Sequence, residues 1–355
     1  MPSSVSITNQ MITVGIGTIG GLIFAYLNLP LPWIVGSMVF CAVVAVATPL
    51  KLQISIVMFR VMLMIVGVTL GAAFSPEVLL RAKYWTGTLA GMVLCTVLSV
   101  WVGMTYLKLV TNYDSKTRFL TAAPGAMTQI IPLCLEMGAD VRTISLVHTI
   151  RGVSIAALVP PVMHLAFNSH HVPIGLMFDL HQFTNMGIEH SDIILLSGCM
   201  LGAPLARFLR IPSADLLGPM VLSGILHALS LTSATTPLAV SAIAQMVIGS
   251  MVGCFFVGMT LAELVKTARV SLGLVALLCV ISIGFAYALH VITEIALSSI
   301  ILAYMPGGIP EMSLLAVELG MDPAFVATHH TLRVFMVVAG VTFLGKHIKK
   351  QQAGV

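Results

Sequence analysis

The chain has 355 residues, of which 58% are hydrophobic and only 8% charged, with a formal net charge of +4 and a mean hydropathy of +1.04. Soluble globular domains carry roughly 25% charged residues, so this composition excludes an ordinary soluble protein and predicts a polytopic protein whose outer surface meets the lipid bilayer. The basic residues stand singly at segment ends or in the tail at Lys346, Lys349 and Lys350, which is no nucleic-acid-binding patch.

Apolar runs near the ~20 residues that span a bilayer succeed one another along the chain. Six fall at 11–27, 31–48, 56–75, 86–110, 117–137 and 143–167, and adding 182 lands on six more at 193–209, 213–230, 238–257, 268–292, 299–319 and 325–346. The register holds at Gly20 and Gly202, Pro30 and Pro212, Gly36 and Gly218, Met38 and Met220, Gly67 and Gly249, and Gly71 and Gly253. The sequence therefore predicts an all-α membrane protein of two homologous repeats with 10–12 transmembrane helices. The first repeat covers 1–167 and the second 191–346. A polar connector at 168–190 carries His170, His171, His181 and His190, and 347–355 is a basic tail. Met1–Gln10 lacks Lys and Arg, unlike a cleavable signal peptide, and the tail predicts a cytoplasmic C-terminus. Lys and Arg counts do not settle whether the repeats run parallel or inverted. Analogy with transporters built around broken helices favours inversion.

The repeat is sharpest in a polar pattern. Pro124-Gly125 leads through Glu136, Gly138 and Asp140 to His148, Thr149 and Arg151, and Pro306-Gly307 leads through Glu318, Gly320 and Asp322 to His330, Thr331 and Arg333. Each fifth element is thus interrupted, by Pro124-Gly125 in the first and by Pro306, Gly307-Gly308 and Pro310 in the second. Proline removes a backbone donor, and glycine loosens the adjoining turn. Unwound backbone at membrane depth is tolerated only where it is buried or lines a polar cavity, and a helix restarting there aims N–H groups at an anion. A plain proline kink is the simpler alternative. Gly138 and Gly320 suit left-handed helix ends, and Asp140 and Asp322 suit N-caps.

His148 and Arg151 are three apart and share a helix face, as do His330 and Arg333. Eleven residues from the capping aspartate is roughly 16 Å, which puts each arginine near mid-bilayer. A charge there costs on the order of 3 kcal/mol or more and needs a partner. Either Glu136 and Glu318 supply it, or an anionic substrate does. The two histidines read as packing groups or as titrating ones. Gln129 matches Glu311, an intramembrane carboxylate just past the break, which is a candidate proton or cation site or else a helix-start charge. Val147 matches His329, so the second half carries a His329-His330 pair. Arg60 and Glu294 read as snorkelling or paired structural charges. Cys41, Cys95, Cys134, Cys199, Cys254 and Cys279 lie in apolar stretches without C-x-x-C spacing and read as reduced structural residues.

The gapless duplication, the start at Leu29–Met38 and the doubled Pro-Gly, Glu-x-Gly-x-Asp, His-Thr-x-Arg blocks resemble the bacterial AbrB-duplication membrane proteins over essentially the full chain. That family is labelled with regulatory or ammonia monooxygenase roles and is similar in outline to the cation:proton antiporter and anion transporter superfamily. The resemblance implies inverted repeats, a crossing point at the two breaks, transport and a bacterial inner-membrane location.

These readings lead to an ion-gradient-coupled transporter or exporter of a small organic anion or metabolite. Its substrate site would draw on Pro124, Gly125, Gln129, His148, Arg151, Pro306, Gly307, Gly308, His330 and Arg333, and its coupling proton or cation on Glu311, Glu136 and Glu318. No cofactor is expected, and a homodimer is compatible with the reading. A regulatory membrane protein acting through a partner or a transported metabolite is the alternative. A metal-dependent monooxygenase fits poorly, because adjacent histidines on a helix point about 100° apart and do not easily share a metal.

Overall fold

The computed structural model describes residues 6–352 apart from 28, 30, 125–133, 135–136 and 168–189. Every regular element among them is helical. In chain order these are α1 (Ile7–Tyr26), a π-helical turn (Pro32–Gly36) leading into α2 (Ser37–Ala47), α3 (Ile56–Gly71), α4 (Pro76–Ala82), α5 (Thr86–Val110), α6 (Ser115–Ala122) and α7 (Val141–Phe167). They continue as α8 (His190–Met200), α9 (Gly202–Phe208), α10 (Ala214–Ala228), α11 (Leu238–Cys254), α12 (Leu261–Thr293), α13 (Leu297–Tyr304), α14 (Ile309–Glu318) and α15 (Pro323–Gln352). Among the described residues, Ile7–Tyr26, Pro76–Val110, Val141–Phe167, His190–Phe208 and Leu261–Thr293 are long and apolar enough to cross a bilayer.

The fifth element of the second half is broken where Pro306 and the glycines predict. α13 ends at Tyr304 and α14 starts at Ile309. Pro310 is the second residue of α14, where a missing N–H removes no helical hydrogen bond. The turns before α7 and α15 also obey local chemistry. Gly138 and Gly320 have φ of 63° and 65°, the left-handed region that glycine enters without steric cost. Asp140 accepts from the Thr143 N–H at 3.1 Å and its hydroxyl at 2.6 Å, and that hydroxyl holds the carboxyl below its ordinary pKa. Asp322 accepts from the Ala324 N–H at 3.0 Å. The fourth element of the first half, α5, spans the expected 86–110, whereas its second-half counterpart begins earlier than its hydrophobic run suggests. α12 starts at Leu261 because Thr260 and Glu263 cap each other, the Glu263 N–H donating to the Thr260 hydroxyl at 3.2 Å and the Thr260 N–H to Glu263 Oε2 at 3.1 Å.

The chain forms two compact units. The first is Met1–Arg81, Ala156–Glu263 and Ser313–Ala324, and the second is Ala82–Ile155, Leu264–Met312 and Phe325–Val355. Each draws segments from both sequence halves.

In the first unit, glycines let helices touch backbone to backbone. A Cβ on Gly36 would stand 2.9 Å from the Gly20 carbonyl carbon, and one on Gly218 would stand 2.5 Å from that of Gly202. These two crossings match at the 182-residue offset. So do two others, which exchange halves. Gly67 on α3 abuts Leu216 on α10, while Gly249 on α11 abuts Ile34 in the π-helical turn. Arg60 pairs with Asp215 at 3.6 Å, and Arg207 bonds the same carboxylate. Leu31 and Ser213, also 182 apart, both stand in the left-handed region, with φ of 48° and 51°. In the second unit one apolar cluster gathers Leu120, Ala123, Cys134, Met137, Ile144 and Val337, and another gathers Val147, Leu274 and Leu278 against Tyr106.

Backbone contacts of this kind leave no side chain to rearrange. Gly202→Val and Gly218→Val are each expected to cost about 3 kcal/mol or more. They should abolish or sharply lower the melting transition of the detergent-purified protein. Gly284 on α12 has nothing within 4 Å of its would-be Cβ, so Gly284→Ala is expected to be neutral or to stabilise by up to about 1 kcal/mol in the same measurement.

Candidate functional site

A helix that stops inside a protein leaves its last carbonyls without partners. The second unit satisfies those of α13 largely with side chains from α12 and α15. The His330 Nε2–H donates to Leu302 O at 3.0 Å. Arg333 Nη1 donates to Tyr304 O at 3.3 Å and to Met305 O at 2.8 Å. The Ser282 hydroxyl also donates to Tyr304 O, at 2.8 Å. Arg333 Nη2 bonds His330 Nδ1. The guanidinium therefore sits at the negative end of a helix dipole, where a cation is stabilised. That placement explains how a charge only 4% exposed is held with no carboxylate partner among the described residues.

The first half repeats the arrangement at the end of α6. His148 Nε2 donates to Leu120 O at 2.8 Å, Arg151 Nη1 donates to Ala123 O at 3.3 Å, and Arg151 Nη2 donates to His148 Nδ1 at 3.0 Å. Each of these partners is the first-half match, at the 182-residue offset, of one in the second. The histidine geometry also fixes a tautomer. A carbonyl only accepts, so Nε2 carries the proton, and an arginine N–H only donates, so Nδ1 is bare. His148 and His330 are held neutral, each orienting the arginine three residues on.

Pro124, just past the end of α6, and Pro306, in the break after α13, meet at one small cavity inside the second unit, with room for about one water molecule. Pro124 and Pro306 line it together with Arg333, Tyr304, Met92 and Leu278, the hydroxyl residues Thr96, Ser99 and Ser282, and Cys95. Arg333 has five N–H donors. Two on Nη1 and one on Nη2 are used as above, which leaves Nε–H and the second Nη2–H. Arg151 is near enough to feel the charge of Arg333.

The carboxylates separate. Glu311 stands in the first turn of α14, its carboxylate folded back over Gly308, whose would-be Cβ lies 2.9 Å from Glu311 Cδ. Its Oε2 is buried without a hydrogen-bond partner among the described residues. Glu318 belongs to the first unit and accepts the Leu31 N–H, at 3.0 Å on Oε2 and 3.3 Å on Oε1. Gly307 lies by the break, where a Cβ would meet Met312 Cγ at 2.8 Å. Gly125, Gln129, Glu136 and the connector histidines 170, 171 and 181 lie outside the described residues. Among the described residues no group of three or more His, Cys, Asp or Glu is placed to hold a metal ion, and the six cysteines are free thiols.

Sequence reasoning passes over Tyr304, Ser282, Thr88, Thr96 and Ser99. A signal for the last of these exists: Thr88, Cys95 and Ser99 recur seven and four residues apart in an otherwise apolar helix, which marks one polar face.

Two units of helices, with apolar spans long enough to cross a bilayer and a buried His-Arg arrangement at each of two helix ends, define a helical membrane protein. The chain belongs to the family described as transition state regulatory protein AbrB, which matches residues 33–349. It is similar to "Uncharacterized protein YhjN" of Bacillus subtilis (strain 168), 24% identical over 351 residues, covering 92% of this chain and 89% of that protein. It is also similar to "Putative regulator AbrB" of Escherichia coli (strain K12), 24% identical over 279 residues, covering 77% and 78%.

The hydrogen bonds assign different losses to different substitutions. Arg333→Lys keeps the charge but cannot reach two carbonyls and a histidine at once, and is expected to cost about 1–3 kcal/mol in thermal unfolding. Glu318→Gln keeps an acceptor for Leu31 and should cost under about 1 kcal/mol. Glu318→Ala strands a buried N–H and should cost about 1–3 kcal/mol in the same assay.

Proposed function

We propose that the chain is an ion-gradient-coupled secondary transporter of a small organic anion or metabolite in the bacterial inner membrane. We further propose that its two repeats are related by inversion and that its substrate site lies where the two helix breaks meet. The observation that carries this reading is the shared cavity, in which Pro124 of one break, Pro306 of the other and the buried cation Arg333 come together. A cation kept at the end of a half-helix, with donors to spare and hydroxyls around it, is the chemistry that recognises a carboxylate or phosphate. The exchange of contacts between halves, Gly67 with Leu216 and Gly249 with Ile34, supports a two-fold relation between the repeats. Glu311, whose Oε2 has no donor among the described residues, is the proposed coupling carboxylate. In the present arrangement the cavity admits about one water, so an organic anion enters only when the half-helices part.

The second reading, a regulator of gene expression, rests on the names of the family and of one relative. Under the transport reading, such an effect is a consequence of the metabolite moved.

The test is a ligand-induced thermal shift on detergent-purified protein, with a panel of carboxylates, phosphates, amino acids and neutral metabolites. A substrate-class anion is expected to raise the wild-type melting temperature by several degrees. It should fail to do so in Arg151→Gln and Arg333→Gln, and should do so less in Ser99→Ala, which removes a lining hydroxyl and leaves both arginines in place. Equal stabilisation of wild type and all three variants, or no stabilisation by any anion, overturns the anion site.

A further inference from the structure

His329 is fully buried, and neither break needs it. It is nevertheless the centre of a polar and aromatic cluster that the first half lacks. Phe325 packs on it at 4.1 Å between ring centroids, with Tyr304 at 6.1 Å and Trp85 at 6.5 Å. Its Nδ1 lies 2.7 Å from Phe325 O. A carbonyl cannot donate, so Nδ1 carries a proton in every state. Its Nε2 lies 2.9 Å from Thr88 Oγ1, and Thr88 Oγ1 lies 2.9 Å from Trp85 O.

A hydroxyl has one proton, and here it has two acceptors to choose between. If Thr88 donates to His329 Nε2, the imidazole is neutral. If Thr88 donates to Trp85 O, Nε2 must itself carry a proton that it gives to Thr88 Oγ1, and the ring is an imidazolium. Both states keep both ring nitrogens bonded. They differ by one proton on the Nε2 lone pair and one rotation of the Thr88 hydroxyl. His330 has no such freedom, because its Nδ1 must stay bare for Arg333.

We propose that His329 and Thr88 form a proton-binding switch: His329 Nε2 takes the proton, and the Thr88 O–H turns from Nε2 to Trp85 O. The switch connects to the cavity through Tyr304, whose hydroxyl donates to Thr88 O and whose carbonyl is held by Arg333. The titratable groups that face His329 are Arg333 and His330 on its own helix and Tyr304 on α13. No carboxylate of the described residues bonds to it. A second proton therefore places a new positive charge beside Arg333, and an anion in the cavity that Arg333 lines offsets it. Proton uptake and anion binding then favour each other. This coupling rests on the anion-transport reading above, whereas the switch itself does not.

The experiment is nitrogen NMR of the full chain in detergent with 15N-labelled histidine side chains, swept from about pH 8 to about pH 4, the range in which protein histidines titrate. The resonance removed by His329→Gln and perturbed by Thr88→Val identifies the ring. Should His329→Gln fail to fold, the Thr88 variants suffice. The expected result is a passage from the neutral Nδ1–H tautomer to imidazolium, with proton affinity lowered about tenfold or more in Thr88→Val and restored to within about threefold in Thr88→Ser. A ring that stays neutral throughout the folded range, or a titration unmoved by Thr88→Val, overturns the proposal. Acetate and inorganic phosphate added at fixed pH separate the two readings. An anion that stabilises the protein through Arg333 and leaves His329 neutral overturns the switch alone. A switching His329 with no anion bound supports the switch and removes the anion site.

Discussion

The second unit depends on a backbone problem. Two helices, α6 and α13, end inside it, and carbonyls without partners in an apolar interior cost free energy comparable to lost hydrogen bonds. Water is the usual remedy, and the cavity beside these ends has room for only about one molecule. The protein uses a histidine and an arginine three residues apart on a later helix. The histidine takes the carbonyl two residues before the α13 terminus, the arginine takes those at and just after it, and a bond between the two fixes both. Cost and remedy are complementary, since the helix end is electron-rich and the guanidinium is cationic. For Arg333 this removes the apparent need for a carboxylate partner. It also leaves Glu318 free for a separate task, at the left-handed Leu31 of the other unit.

Much of this was legible because it is local chemistry. Pro306, Gly307-Gly308, the left-handed Gly138 and Gly320, and the capping Asp140 and Asp322 each act within a few residues of themselves, and the structure places each as its chemistry predicts. The pairing of His330 with Arg333 is a consequence of helical spacing alone. What was not legible lies at long range. Glu318 and Leu31 are 287 residues apart, and no periodicity connects them. The composition of the two units was hidden for the same reason, because contacts that exchange halves carry no mark in either half. Thr88 escapes notice for a different reason: a threonine in an apolar helix reads as filler until the group across from it is known. The start of α12 escapes a reading of hydrophobicity because the Thr260–Glu263 capping pair carries the signal.

The first unit shows why the 182-residue register is so strict at small residues. Where backbones touch, as at Gly20 with Gly36 and Gly202 with Gly218, any side chain is a displacement of an entire helix. A lipid-facing position has no comparable demand, since many apolar side chains serve it equally well. In the first unit, similarity between the halves therefore includes the glycines at which the backbone has no alternative.

That distinction also accounts for how the halves differ. Gly91 and Gly273 match, and each makes room for a tyrosine hydroxyl, that of Tyr304 beside Leu289 at one and that of Tyr106 at the other. The carbonyls those phenols reach, Thr88 O and Val270 O, also match. Yet the tyrosines do not, because the residue matched to Tyr304 is Ala122. Space and acceptor have been kept as backbone features, while the side chain that fills them comes from a different helix in each half. The consequence falls on chemistry. Tyr106 reaches its carbonyl from the last turns of a continuous helix, whereas Tyr304 is the last residue of a broken one, with its own carbonyl held by Arg333. Only the second arrangement ties an aromatic and polar cluster to a break, and only there do His329 and Glu311 stand where the first half has Val147 and Gln129. Ionisable groups added to one half of a common scaffold make the halves chemically unequal, and the proposed proton switch draws on that inequality.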